Sequence, residues 1–144
     1  MTTGSDGELV HATCVLIDGM GVMLRGASGA GKSDLALRLI DRGATLIADD
    51  YVRAGVEDGH LHVSVPDRIA GLMEVRGVGI LPMPYRPSAR IALVIELVAA
   101  EDRLPEPDET VIAGVPLPIY RLTPLSASAP IKVELMVSRL KERL

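Results

Sequence analysis

The chain reads Gly26-Ala27-Ser28-Gly29-Ala30-Gly31-Lys32-Ser33 one residue after an apolar run that ends at Leu24. The octapeptide satisfies the pattern G-x-x-x-x-G-K-S/T, which has meaning where a strand precedes it and a helix follows. Its glycines let the backbone wrap closely around phosphate, and the N–H groups at the helix N-terminus present partial positive charge to the anion. We expect Lys32 to reach the β and γ phosphates of a nucleotide and Ser33 to place its hydroxyl on magnesium. The competing interpretation is a glycine-rich turn that merely joins strand to helix.

The runs on both sides of the loop predict an α/β arrangement. The predicted elements are strands at residues 12–17, 21–24 and 45–48, a helix from residue 33 to a stop at Arg42-Gly43, a hairpin of residues 52–56 and 60–65, a central strand at residues 91–98 and a last helix. The hairpin surrounds Asp58-Gly59, a dipeptide that suits a type I′ turn. The central strand is nearly continuously apolar, as expected of a strand that is covered on both faces. Ser128 is expected to cap the last helix, whose apolar face includes Val133, Met136, Val137, Leu140 and Leu144.

The composition limits the partners of the chain. With 144 residues, 48% hydrophobic and 24% charged, the chain fits one domain that can bury a core, and we expect residues 1–10 to form a short N-terminal tail and residues 11–144 a single domain. The formal charge of -4 argues against nucleic acid or an anionic membrane as a partner, because both require a basic surface. The first residues resemble no leader and no run reaches about 18 apolar residues, so we expect a cytoplasmic protein. Cys14 lies in an apolar run and is expected to be a buried small hydrophobe.

Two adjacent carboxylates, Asp49 and Asp50, end the strand that follows the loop's helix. This end of the strand lies at the carboxyl edge of the sheet, where open α/β sheets bind ligands and where the phosphate loop also lies. Successive strand side chains point to opposite faces, so we expect only one of the two to face the γ-phosphate, where it could accept a proton or hold metal. The alternative is a solvated turn at the end of the strand.

Two further segments carry polar groups of interest. His11 precedes the first strand, where it could hydrogen-bond a carboxylate of the site, although spacing alone favours a surface residue. Glu74-Val75-Arg76-Gly77-Val78-Gly79-Ile80 places a carboxylate and a guanidinium beside two glycines. The glycines would let the backbone approach a ligand while Glu74 supplies an oxygen to a metal. An ion pair beside a bulged strand would explain the same stretch equally well.

Four segments form a combination that is more specific than any one of them. They are the His11 lead-in, GASGAGKS, LIADD from Leu46 to Asp50 and EVRGVGI from Glu74 to Ile80. Together they resemble the catalytic domain of the HPr kinase/phosphorylase family, which phosphorylates a serine of the phosphocarrier protein HPr; the last segment is similar to the family's own signature stretch. The similarity runs from about His11 to the C-terminus. It implies an α/β fold in which a P-loop kinase domain lies on a mixed β-sheet, like that of phosphoenolpyruvate carboxykinases, with flanking hairpins and a C-terminal helix.

The resemblance also implies roles for individual residues and a set of ligands. Asp50 would be the general base that accepts the serine proton, with His11 beside it, and Lys32 would contact the transferring phosphoryl group. Ser33 and Glu74 would be the Mg²⁺ ligands, with ATP as the phosphoryl donor. The implied partner is an HPr-type phosphocarrier protein, and the implied assembly is a homo-oligomer, a hexamer by family habit. In the family the same aspartate can protonate the leaving serine during phosphorolysis by inorganic phosphate.

The chain departs from the family pattern in two places. Full-length members carry a separate N-terminal domain, whereas ten residues precede His11 here. The family also places an arginine in a Gly-Arg-Asn stretch where this chain has Ser126-Ala127-Ser128, and Arg121 or Arg86 could replace it. A lost arginine would remove positive charge from a phosphoryl-transfer transition state. Two alternatives to a protein-serine kinase therefore stay open: a small-molecule P-loop kinase and a non-catalytic nucleotide-sensing module.

Overall fold

Residues 7–143, the part of the chain that the computed structural model describes, contain eleven strands, two α-helices and one 3-10 helix at Asp67–Ile69. The strands are β1 (Glu8–His11), β2 (Thr13–Ile17), β3 (Met20–Arg25), β4 (Thr45–Ala48), β5 (Tyr51–Glu57), β6 (His60–Ser64), β7 (Leu72–Val75), β8 (Gly79–Pro82), β9 (Ser88–Leu97), β10 (Glu109–Ile112) and β11 (Val115–Leu122), and the helices are α1 (Lys32–Asp41) and α2 (Ala129–Glu142). Residues 1–6 of the predicted tail and Leu144 of the predicted helix face lie outside the described residues.

A mixed sheet organises the fold. Its strand order is β1-β5-β6-β9-β3-β2-β4, and the β10–β11 hairpin joins it through β11 and β9. The pairs of β9 with β3 and with β11 are parallel, whereas the other pairs in the sheet are antiparallel. The strand β9 changes partner along its length, because residues 88–90 pair with β6 and residues 91–96 pair with β3. The predicted central strand is therefore confirmed, and so is the α/β fold with the phosphate loop on a mixed sheet.

Both faces of the central strands are buried. In β2 and β3, Val15 and Leu24 belong to the core cluster that includes α1 and α2, whereas Cys14 and Met23 belong to a second cluster on the other face. Alternate residues of one strand therefore enter different cores, which explains the nearly continuous apolar runs of the sequence. Burial raises the pKa of the Cys14 thiol, which agrees with its expected place as a small hydrophobe in the core.

Of the local signals at turns and helix ends, the hairpin turn and the glycine stop are confirmed and the serine cap is not. Asp58 and Gly59 have φ values of 53° and 78°, as a type I′ hairpin turn requires. Gly43 follows the end of α1 with a φ of 114°, a conformation that glycine adopts without strain. The helix α2 begins directly after Ser128, but the expected side-chain cap does not form, since the Ser128 hydroxyl lies 2.9 Å from that of Ser126 instead.

The short strands at the periphery were not predicted. The strand β1 includes residues 8–10, which sequence analysis assigns to a tail, because they pair with β5 across the chain. The β7–β8 hairpin contains the EVRGVGI stretch, with its turn at residues 76–78. The strand β11 contains Pro116 and Pro118, and proline is unfavourable inside a sheet because it lacks a backbone N–H group. Both prolines pair only with β10, and the pairing of β11 with β9 starts after them, at Ile119.

Candidate active site

The phosphate loop connects β3 to α1, as the motif predicts. Gly29 and Gly31 take φ values of 79° and 104°, so the loop folds back through conformations that favour glycine. A Cβ atom on Gly31 would lie 3.3 Å from the ring of Pro124, which packs against this side of the loop. The first intrahelical bond of α1 runs from the Leu35 amide to the Gly31 carbonyl. The amides of residues 32–34 precede that bond in the first turn of the helix, where an anion can accept their hydrogen bonds.

Lys32 hydrogen-bonds to the first two residues of the loop. Its side chain is buried, and Nζ donates hydrogen bonds of 3.0 Å each to the carbonyl oxygens of Gly26 and Ala27. These two residues thus hold the lysine, while residues 28–33 of the loop line an adjacent cleft of about 460 Å³. Lys32 is itself one of the lining residues, so its ammonium group is within reach of a phosphate chain bound on the loop.

The cleft brings together residues that are far apart in the sequence. His11, Asp50, Glu74 and Arg76 line it with the loop, and Pro124 and Leu125 close one side. All of the predicted catalytic and metal-binding residues, His11, Lys32, Ser33, Asp50 and Glu74, therefore contact one cavity.

The two aspartates at the end of β4 differ in their surroundings. Asp49 is buried, and its Oδ1 accepts hydrogen bonds from Ser33 Oγ at 2.6 Å and Thr13 Oγ1 at 3.2 Å. Its Oδ2 accepts the Glu74 backbone amide at 3.2 Å. Asp50 has a side chain that is 59% exposed and lines the cleft. The two carboxylates, which follow the last residue of β4, are thus one buried and hydrogen-bonded group and one accessible group.

His11 lies beside Asp50 with a side chain that is 35% exposed, so it makes the hydrogen bond to a carboxylate of the site that sequence analysis considered. Its Nε2 is 2.8 Å from Asp50 Oδ1, and its ring packs against Tyr51 with 5.1 Å between the centroids. The antiparallel register of β1 and β5 produces both contacts, because it places His11 directly opposite Tyr51. Nothing in the local sequence reports that register.

Glu74 and Arg76 enter the cleft from the β7–β8 hairpin. Both are exposed, and within residues 7–143 no ion pair joins them, so the ion-pair interpretation of this stretch is wrong. The Glu74 amide anchors the hairpin to Asp49. Sequence analysis did not assign Arg76 to the site; its place two residues after Glu74 was the available signal.

The oxygen donors of the cleft suit a particular class of metal. The described part of the chain contains no group of three His, Cys, Asp or Glu side chains that could enclose an ion. Mg²⁺ differs from zinc in that it takes one or two protein oxygens and fills its other positions with water and phosphate. Ser33 and Glu74 both line the cleft and supply hard oxygens, and this donor set fits magnesium held together with a nucleotide.

The proposed replacements for the missing arginine lie elsewhere. Arg121 forms an ion pair of 2.9 Å with Asp108, and neither Arg121 nor Arg86 lines the cleft. Both expectations are therefore wrong. Arg38 of α1 instead holds the turn before α2, since its guanidinium donates to the carbonyl oxygens of Pro124 and Ser126. Arg76 is the guanidinium that lines the cleft in the described part of the chain.

A carboxylate also fixes that turn. Glu101 accepts the Thr123 amide at 3.0 Å and Lys132 Nζ at 3.1 Å. The Thr123 hydrogen bond, helped by Lys132 and opposed by partial burial, lowers the pKa of Glu101. The wall that carries Pro124 and Leu125 is thus anchored at both ends.

Comparison with known sequences decides the family. The family model described as HPr Serine kinase C-terminal domain matches residues 4–127. The chain belongs to the HPr serine kinase family. Similar members are the HPr kinase/phosphorylases of Geobacillus sp. (strain WCH70), 45% identical, and of Peptoclostridium acidaminophilum, 48% identical, each over 96 residues. These matches cover 61% and 64% of this chain and 31% of each relative, so the matched region spans about a third of the length of these HPr kinases.

A solved structure of the same family has the same fold. The structure titled Hpr(Ser) kinase/phosphatase from Coxiella burnetii superposes with a TM-score of 0.84 at 27% identity, over 94% of this chain and 92% of that one. This agreement extends the family assignment to the full mixed sheet and the C-terminal helix. No helix within residues 7–143 of this HPr serine kinase family member is long and apolar enough to cross a membrane.

Proposed function

We propose that the chain transfers the γ-phosphoryl group of ATP, in the presence of Mg²⁺, to a serine of an HPr-type phosphocarrier protein. The observation that carries the proposal is the convergence of Lys32 and Ser33 with the Asp50–His11 pair on one cleft. A nucleotide-binding loop alone would serve many functions. An accessible carboxylate opposite that loop adds the group that a hydroxyl acceptor requires.

The loop residues bind and orient the nucleotide. The amides before Leu35 and the Lys32 ammonium would hold its phosphates, and Ser33 and Glu74 would hold Mg²⁺. The ion supplies charge neutralisation on the phosphates when it is bound. Asp49 keeps Ser33 in place through their 2.6 Å hydrogen bond and fixes the Glu74 backbone, so one buried carboxylate sets both candidate metal ligands.

Asp50 is the proposed general base. As the serine oxygen forms its bond to the γ-phosphorus, the bond from that phosphorus to the bridging oxygen breaks, ADP leaves, and the serine proton passes to Asp50. His11 orients the carboxylate through the 2.8 Å contact. In the reverse sense, protonated Asp50 would return a proton to the serine oxygen while inorganic phosphate accepts the phosphoryl group, which yields pyrophosphate. We propose this phosphorolysis as a second activity.

Arg76 is the proposed source of further positive charge. It lines the cleft beside Glu74, and a guanidinium near the transferring group stabilises the charge that spreads over its oxygens. Leu125 of the cleft wall is 93% exposed, and Val78 and Ile80 of the β7–β8 hairpin, which carries Glu74 and Arg76, are 69% and 68% exposed. These exposed apolar side chains support contact with another protein. The resemblance supports the remaining parts of the proposal, a cytoplasmic homo-oligomer with the kinase domain in residues 11–144.

Mass spectrometry of an HPr-type carrier incubated with the protein and Mg-ATP tests the proposal. We expect one phosphoserine on the carrier, formed at least about 100-fold more slowly when Asp50→Asn replaces the unaltered protein. A matched control is Asp108→Asn, which removes a surface carboxylate far from the cleft lining. Bound ATP without phosphate on any carrier would favour the nucleotide-sensing module, and phosphate on a metabolite would favour a small-molecule kinase.

A further inference from the structure

Thr13 is a buried polar residue in an otherwise apolar strand. It is 0% exposed, and its neighbours in β2 are core residues. Its Oγ1 donates to Asp49 Oδ1 at 3.2 Å and accepts the backbone amide of Asp50 at 3.1 Å. A hydroxyl has one donor and two acceptor sites, so both bonds form at once. One side chain thus contacts both aspartates of the site.

The hydrogen bond from Asp50 to Thr13 stabilises an unfavourable backbone conformation. Asp50 has a φ of 75°, in the left-handed region that residues other than glycine adopt infrequently. Its carbonyl accepts the Ala12 amide at 3.0 Å, and its amide is held by Thr13. Residues 12 and 13 therefore hold both backbone polar groups of Asp50. That conformation points the carboxylate towards His11 and the cleft.

We propose that Thr13 is a positioning residue for phosphoryl transfer, which acts by fixing the backbone of Asp50; the inference rests on the proposed role of Asp50 as the base. Removal of the hydroxyl leaves the Asp50 amide without its acceptor. Asp49 is affected less, because it keeps the hydrogen bonds from Ser33 and from the Glu74 amide. The loss therefore falls on the alignment of the base rather than on nucleotide binding.

The test compares Thr13→Val, which keeps the shape of the side chain and removes its hydroxyl, with Thr13→Ser, which keeps the hydroxyl. We expect Thr13→Val to lower kcat for carrier phosphorylation by about 10- to 100-fold, the effect of a small misalignment, with KM for Mg-ATP within about 3-fold. Thr13→Ser should keep kcat within about 3-fold of the unaltered protein. Equal kcat values for the two variants would overturn the proposal.

A double-mutant cycle separates positioning from general destabilisation. In the Asp50→Asn background, Thr13→Val should lower the rate of carrier phosphorylation by less than about 3-fold, because the base through which Thr13 acts is gone. These slow rates are measured with excess protein over hours. If Thr13→Val lowers the rate by the same factor with and without Asp50, Thr13 has a general structural role and the inference is refuted. If Thr13→Val does not fold, Thr13→Ala replaces it in the same cycle. An inactive unaltered protein would refute the proposed function itself, whereas an active one with no effect of these variants refutes this inference alone.

Discussion

The two adjacent aspartates should separate stability from turnover when each is changed to asparagine. Asp49 is 7% exposed and accepts three hydrogen bonds, from Ser33, Thr13 and the Glu74 amide. An asparagine in its place has one oxygen, so its NH₂ group must face at least one of these donors. The side chain of Asp50 is 59% exposed and contacts only His11 among the described residues, and an asparagine oxygen can accept that bond.

The magnitudes follow from these contacts. One lost hydrogen bond to a buried carboxylate costs about 1.5 to 3 kcal/mol of unfolding free energy. For a chain of 144 residues this predicts a fall in Tm of about 5 to 10 °C for Asp49→Asn. An exposed ion pair contributes about 0 to 1 kcal/mol, so Asp50→Asn should change Tm by about 3 °C or less. Its kcat should nevertheless fall by about 10²- to 10⁴-fold, the usual contribution of a general base.

Two assays on the unaltered protein, Asp49→Asn and Asp50→Asn test these different roles of the two aspartates. Thermal unfolding followed by circular dichroism gives Tm, and initial rates of carrier phosphorylation give kcat and KM. We expect Asp49→Asn to raise KM for Mg-ATP, because Ser33 and Glu74 lose their common partner. Equal losses of Tm in the two variants would refute the assignment of a buried structural role to Asp49. A kcat for Asp50→Asn within about 10-fold of the unaltered protein would refute the general base.

Three further outcomes test other parts of the structure. Lys32→Ala should weaken ATP binding by about 10- to 100-fold in calorimetry, because a charge-assisted phosphate contact is lost, and an unchanged Kd would contradict the site. The buried Cys14 thiol, whose pKa is raised, should react with Ellman's reagent only when the protein unfolds; rapid labelling of the native protein would show that β2 is accessible. The lowered pKa of Glu101 means that its carboxylate stabilises the fold above the ordinary value of 4.5 and that this contribution is lost as the pH falls through the lowered value. Glu101→Gln should therefore unfold at lower urea than the unaltered protein at pH 7, with a difference that narrows as the pH falls below about 4.5; a constant difference would contradict the hydrogen bond from Thr123.

The elements predicted correctly have causes that are local in the sequence. The phosphate loop depends on glycines and a lysine within eight residues, and the hairpin turn on Asp58-Gly59. The helix α1 follows from an apolar repeat and a glycine stop, and β9 from a continuous apolar run. In each case the physical cause, a backbone conformation or a periodicity, is complete within the segment.

The arrangement of the site depended on contacts between distant segments. His11 reaches Asp50 across 39 positions because β1 pairs with β5 in one register, and Thr13 reaches Asp49 across 36 positions through the pairing of β2 with β4. A shift of either register by one residue would turn these side chains to the opposite face. The sequence by itself determined that the chain has a phosphate loop on an α/β sheet with candidate carboxylates at its edge. Only the tertiary structure decided which carboxylate is buried, which is accessible and which arginine accompanies it, since strand register and the β7–β8 hairpin set those positions.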